Sequence, residues 1–232
     1  MSIKEGRDYL LLVWKEHLTR RRYVIGELSK NGQFEFSYGY EVAKAINAGM
    51  ELLIAFPDIH TVYKNDNLFP VFASRLPDPK RKGIEDILRK YGLSEYDAYK
   101  LLKSSGARLP IDNLEFIDPI FDSESGKIVR QFFLAGPRHY LGCEGEECEK
   151  AIDVKLQEEL KLLPEPDNKF DEYAVKILKA GEELVGYLPR YYAEGISQLL
   201  RNATTNCCKV IEVNKDHNCV ECVKVELTII CH

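Results

Sequence analysis

No apolar run in the 232-residue chain approaches the roughly 20 residues a membrane-spanning helix needs. The opening Ser2-Ile3-Lys4-Glu5 has no signal-peptide core, so a cytoplasmic protein is expected. A large excess of one charge is also missing: 32 Lys/Arg stand against 37 Asp/Glu, a formal net charge of −5. Residues 1–118 carry 18 basic and 17 acidic side chains and residues 119–232 carry 14 and 20, so neither half is a polycation. That excludes holding duplex nucleic acid by neutralising many phosphates, and a nucleic-acid site must be small and shaped. The seven cysteines are odd in number and make no regular framework, which suits a reducing compartment better than a disulfide scaffold. Cys219 and Cys222 form a C-x-x-C, with His217, Cys207, Cys208, Cys231 and His232 nearby, while Cys143 and Cys148 flank an acidic loop. A second C-x-x-C is absent, and the strand-like alternation from Cys219 to Leu227 sends Cys219 and Cys222 to opposite faces. Reduced thiols are therefore the favoured reading, with zinc at Cys219 and Cys222 the lesser one. There is no internal repeat and no low-complexity tract.

What is present reads as two packed domains. Tyr9–Trp14, Tyr23–Leu28 and Phe34–Tyr38 are β-rich runs, and Asn31-Gly32 between the last two supplies the positive φ angles of a tight hairpin, which predicts a β-meander. A short helix is expected over Tyr40–Asn47, with Val42, Ala43 and Ile46 on one face and Gly49 as its stop. A second helix spans Gly83–Tyr91, carries Ile84, Ile87 and Leu88, and ends at Gly92. A third opens on the capping box Ser94-Glu95-Tyr96-Asp97 and runs to Gly106 with Ala98, Leu101 and Leu102 inward. The polar run Asp122–Gly126 marks a domain boundary.

Beyond the boundary, Ile128–Ala135 reads as a strand, 150–160 as helical, and Leu160–Leu163 follows. Ala174–Leu178 and Leu184–Leu188 form a hairpin about Ala180-Gly181. Pro189 starts a helix whose Ala193, Ile196, Leu199 and Leu200 share a face, and Val210–Val213 and Val220–Ile230 close the chain as strands. Strands dominate with one or two helices, as in a small barrel.

Three clusters hold more polar, aromatic and Gly/Pro residues than a core requires: Gly136-Pro137-Arg138-His139-Tyr140, Glu165-Pro166-Asp167-Asn168-Lys169-Phe170-Asp171 and Val185-Gly186-Tyr187-Leu188-Pro189-Arg190. In their order and spacing, over about 128–230, they resemble the HIRAN family. The resemblance implies an OB-like barrel that binds single-stranded DNA at a 3′ end. It implies a terminal base between His139 and Phe170, with Asp171 accepting a hydrogen bond from the terminal hydroxyl and repelling the phosphate of a strand that continues. Arg138, Tyr140, Tyr187 and Arg190 would meet the last phosphates, Asn168 belongs to the same pocket, and Gly186 would let the backbone come close. His139 stands where the family often has Tyr, which weakens stacking and makes it pH-sensitive. The plainer reading of each cluster is an Asp167-Asn168 turn, a cap at Asp171 and strand packing at Gly186-Tyr187.

Over about 9–118, Val24–Ser29, Phe34–Tyr38, Leu68–Pro77 and Tyr91–Ser94 with Asp97 to Gly106 resemble the N-terminal subdomain of HipA-type serine/threonine kinases, toxins of toxin–antitoxin systems. No phosphate loop, catalytic H-x-D or D-F-G analogue accompanies it, so the chain is expected not to be an enzyme. The resemblance implies a separately encoded HipA-like kinase as partner. A metal-dependent nuclease using Asp167 and Asp171 is a weaker alternative, since no additional carboxylate or Lys has a suggestive spacing.

The expected architecture is α+β: a small antiparallel sheet with helices over 1–121, binding a partner, then an OB-like β-barrel with helices over 127–232, binding a DNA end. No cofactor is expected. The competing functional reading is a kinase-binding protein whose barrel no longer binds DNA.

Overall fold

The computed structural model describes residues 8–109, 112–119, 126–137, 140, 153–214 and 221–231. The chain divides into two compact units, residues 3–120 and 121–232.

In the first unit, β1 (Asp8–Lys15), β2 (Arg22–Asn31) and β3 (Gln33–Tyr38) form the expected meander. Of the two residues expected to take positive φ, only Gly32 does, at 84°, while Asn31 stays in β2 and pairs with Gln33. β3 alternates, burying Phe34, Phe36 and Tyr38, whereas β2 is buried at every position from Tyr23 to Ser29 because it lies inside the sheet. Then come α1 (Val42–Asn47), β4 (Val62–Asn65), α2 (Pro70–Ala73), α3 (Ile84–Lys90), α4 (Ala98–Ser105) and β5 (Leu114–Ile117). The antiparallel sheet has the order β4-β3-β2-β1-β5.

Aromatic rings fill its core. Phe72 packs with Phe36, Phe56 and Phe116 at ring separations of 5.3, 5.4 and 4.9 Å, in the tilted and edge-on geometries that the ring quadrupole favours. Gly26 is demanded by this packing, because a Cβ there would lie 2.7 Å from the Ser37 carbonyl oxygen and 3.0 Å from the Phe36 ring.

Two expectations for the helices need correction. In α1 the buried residues are Val42 and Ala45, while Ala43 and Ile46 face outward. With apolar residues at 42, 43, 45, 46 and 48, the sequence leaves the face of so short a helix undetermined. α4 is capped not by Ser94 but by Asp97, whose carboxylate accepts from the Lys100 N–H at 3.0 Å. Its inward residues are Tyr99, Leu101 and Leu102, with Ala98 only partly covered, and Gly106 ends it at φ 68°.

The second unit contains β6 (Lys127–Phe133), β7 (Glu159–Pro164), β8 (Val175–Leu178), β9 (Leu184–Tyr187), α5 (Arg190–Asn202), β10 (Ala203–Val213) and β11 (Val223–Cys231). Their antiparallel order is β6-β11-β10-β7-β8-β9. The two edges then meet: just past β6, the Ala135 N–H donates to the Tyr187 carbonyl at 2.8 Å and the Tyr187 N–H donates back at 2.9 Å. This single bridge curls the six strands round into a small barrel and joins its two edges at that point. Ala193 and Ile196 of α5 are buried, while Leu199 and Leu200 are only partly covered.

The helix expected over 150–160 is not found. Residues 150–152 lie outside the described residues, and 153–158 are a loop with a turn at Leu156-Gln157. Gln157 has φ 66°, and its N–H donates to the Val210 carbonyl at 2.8 Å, so β10 takes up the backbone a helix would have used. β10 itself begins at Ala203, seven residues before the expected Val210, because pairing with β11 draws the polar run Thr205-Asn206 into the sheet. Among the described residues no helix is long and apolar enough to cross a membrane.

Closure leaves little room for a side chain at Gly186. A Cβ on it would sit 3.0 Å from the Ala135 carbonyl oxygen and 3.2 Å from the Leu134 Cβ. That carbonyl is held in the closing bridge, so it has little freedom to withdraw. Gly186→Val is expected to lower stability by about 1–3 kcal/mol, measured as a fall in the denaturant midpoint at unchanged m-value; a midpoint within error of the parent would contradict the closure.

Candidate nucleic-acid interface

The loop between β7 and β8 is built around a local polar turn. Pro164 and Pro166 restrict the entry, and Asp167-Asn168 is turn chemistry. Asn168 Oδ1 accepts from the Phe170 N–H at 2.9 Å and the Asp171 N–H at 3.2 Å, and the Asp171 Oδ1 in turn accepts from the Tyr173 N–H at 3.0 Å. The loop mouth is closed by the Glu165 N–H donating to the Ala174 carbonyl at 2.8 Å. These bonds fix the backbone that carries Phe170, whose side chain is 90 % exposed. A lone exposed apolar residue is ordinary, but this ring stands on a tied-down loop beside a carboxylate.

That carboxylate, Asp171, is mostly covered, and its Oδ2 lies 4.0 Å from Nε of Arg190 at the start of α5. Arg190 remains largely exposed and open to a further anion. Tyr187, at the end of β9, lies with its ring 5.6 Å from that of Tyr140. Tyr187 also donates its hydroxyl to Glu165 Oε2 at 3.0 Å. The fold thus links Asn168 to Phe170 and Asp171, Asp171 to Arg190, and Tyr187 to Tyr140. Arg138 and His139 lie outside the described residues, and so does the wall His139 was expected to supply. Gly186 sits beneath the closing bridge, where the protein's own packing accounts for it.

Two polar residues that the site reading missed are Glu165 and Lys176. Lys176 lies 2.5 Å from Glu165 Oε1, and Asn168 donates its side-chain N–H to Glu165 Oε2 at 2.7 Å. In the β7–β8 hairpin Lys176 pairs with Leu163, so Glu165, two residues on, is its diagonal neighbour on the same face. Only the register of the hairpin shows this.

The Lys176 ammonium first, and the Asn168 amide next, hold the Glu165 carboxyl below its ordinary value of 4.5, with Tyr187 adding to them. Burial pushes the Tyr187 phenol up, and the Glu165 carboxylate adds to that. Because Glu165 is depressed in the folded state, its contribution is full above pH 4.5 and is lost as pH falls through the lower folded value. Glu165→Ala is therefore expected to cost about 1 kcal/mol at about pH 7, with the gap to the parent narrowing as the pH is taken below 4.5. Urea melts across that range check it, and a gap constant with pH would count against the network.

Cys222 is buried, Cys219 lies outside the described residues, and burial pushes the Cys208 thiol up to about 12. Among the described residues no group of three or more His, Cys, Asp or Glu side chains is placed to hold a metal.

Residues 129–230 match the family model of the HIRAN domain. Residues 19–110 match that of the HipA N-terminal domain. The chain joins a HipA N-terminal domain to a HIRAN domain. Among solved structures, the HIRAN domain of human HLTF is 18 % identical and aligns over 47 % of this chain and 82 % of its own, with a TM-score of 0.36. A Lactobacillus plantarum protein is 14 % identical over 46 % of this chain and 99 % of its own, also with a TM-score of 0.36. No curated protein matches the chain. Within the HIRAN domain, the loop that carries the exposed Phe170 approaches the start of α5 through its next residue, Asp171, whose carboxylate lies 4.0 Å from Arg190.

Proposed function

We propose that the HIRAN domain binds the 3′ end of single-stranded DNA and that the chain performs no chemistry on it. The observation that carries this reading is the rigid presentation of Phe170 beside Asp171, with Arg190 4.0 Å from the Asp171 carboxylate. An exposed ring offers a platform for an unpaired base. The carboxylate accepts a hydrogen bond from a terminal hydroxyl, and it repels the phosphate that any continuing strand would put there. Arg190 supplies the cation for the last phosphate. With so little positive charge in this half, recognition rests on shape and on the terminus rather than on the length of strand bound.

The HipA N-terminal domain docks, in this reading, on a HipA-like serine/threonine kinase encoded separately and restrains it, within a toxin–antitoxin or phage-defence system. Support for that part is the family match at 19–110 together with a sequence that has no phosphate loop or catalytic Asp motif of its own. Kinase autophosphorylation, followed with and without an equimolar amount of this protein, tests it.

DNA-end binding is tested by competition between a linear single strand and a covalently closed circle of the same sequence. The linear strand is expected to displace a labelled probe, and the circle to fail at tenfold or more higher concentration, about 1.4 kcal/mol. Equal competition would remove end recognition, and no binding of either would favour the reading in which the barrel serves only protein contacts.

A further inference from the structure

Glu165 makes more bonds within the β7–β8 loop than any role in contacting DNA would require. Its main-chain N–H and carbonyl hold Ala174 at one end of the loop and the Asn168 N–H at 3.1 Å inside it. Its Oε2 receives two donors, the Asn168 amide at 2.7 Å and the Tyr187 hydroxyl at 3.0 Å, while Oε1 faces Lys176 at 2.5 Å. One carboxylate thus joins the loop to both β8 and β9.

The Asn168 amide shows why the charge matters. Its oxygen must face the Phe170 and Asp171 N–H groups, both donors. In the flipped sense the amide nitrogen would point at those donors and both bonds would be lost. A pure acceptor on the other side of Asn168 forbids the flip, and Glu165 is that acceptor. The Tyr187 hydroxyl hydrogen goes to the same carboxylate, while the Tyr187 ring lies 5.6 Å from that of Tyr140.

We infer that Glu165 is the positioning residue of the DNA-end loop, fixing the sense of the Asn168 amide and through it the placement of Phe170 and Asp171. What the loop binds rests on the function proposed above; the order of the loop does not. Glu165 itself touches no DNA in this account.

The test reverses the polarity of one hydrogen bond. Asn168→Asp sets a second carboxylate against Glu165, and the protection of the Phe170 and Asp171 amides from hydrogen exchange is expected to fall about fivefold to tenfold. Adding Glu165→Gln restores a donor facing an acceptor, and protection is expected to return to within about twofold of the parent. If each side chain mattered only for its own packing, the double substitution would be at least as loose as the single one. A double variant no better protected than Asn168→Asp, or an Asn168→Asp chain with unchanged protection, overturns the inference. The same three proteins are titrated with a single strand bearing a free 3′ hydroxyl. Affinity is expected to fall and return in step with protection. If protection follows the expected pattern while none of the proteins, parent included, binds the strand, the positioning role stands and the DNA-end function falls.

Discussion

Phe170→Ala is expected to weaken binding of a single strand with a free 3′ hydroxyl by about fivefold to a hundredfold, the equivalent of one lost base stack, while leaving thermal stability almost unchanged. The two parts separate because of where the ring sits. Its side chain is 90 % exposed, so removing it uncovers no core and opens no cavity. The turn beneath it depends on the Phe170 main-chain N–H, which alanine keeps. Fluorescence anisotropy reads the affinity and a thermal melt reads the fold. A fall in melting temperature with unchanged affinity would assign Phe170 to packing instead.

Asp171→Asn is expected to act on selectivity more than on affinity. The amide oxygen can still accept from the Tyr173 N–H, so the turn persists. The charge is gone, however, and Arg190, 4.0 Å away, loses its partner and becomes more available to phosphate. A strand ending in a 3′ phosphate should then bind about tenfold better than it does to the parent protein. The strand with a free hydroxyl should lose a few-fold, since a neutral acceptor makes the weaker hydrogen bond. The ratio between the two ligands therefore collapses. If the phosphorylated strand gains nothing, the carboxylate is not a gate.

Much of the architecture was legible in the residues because local chemistry and the final fold agree there. Asn31-Gly32 between alternating β-rich runs can hardly be other than a hairpin, and Gly106 after a helical run stops it, as the φ of 68° at that residue shows. Errors arose where local signals were ambiguous or a distant partner decided. In α1 the apolar residues surround the helix, and the core selected Ala45 over Ala43 and Ile46. Residues 153–158 carry helix-forming side chains, yet the Val210 carbonyl and the positive φ of Gln157 make them a loop.

The candidate site shows the same division. The turn about Asn168 and the exposed ring after it could be read from Asp167-Asn168-Lys169-Phe170-Asp171. Glu165 lies at the edge of that cluster, but nothing in its spacing shows that Lys176 and Tyr187 converge on it, since β8 and β9 bring them there. Gly186 looked like a residue reserved for a ligand's backbone. Within the protein itself, a Cβ there would already stand 3.0 Å from the Ala135 carbonyl oxygen of the closing bridge.

The account depends above all on a preference for a chain terminus, and the most direct measurement is an anisotropy titration of the intact protein with two single strands identical except at the 3′ end. One carries a free hydroxyl and the other a phosphate. The free end is expected to bind at least about tenfold more tightly, because only the phosphate meets the Asp171 carboxylate. Two superimposable titration curves would contradict end recognition at this loop.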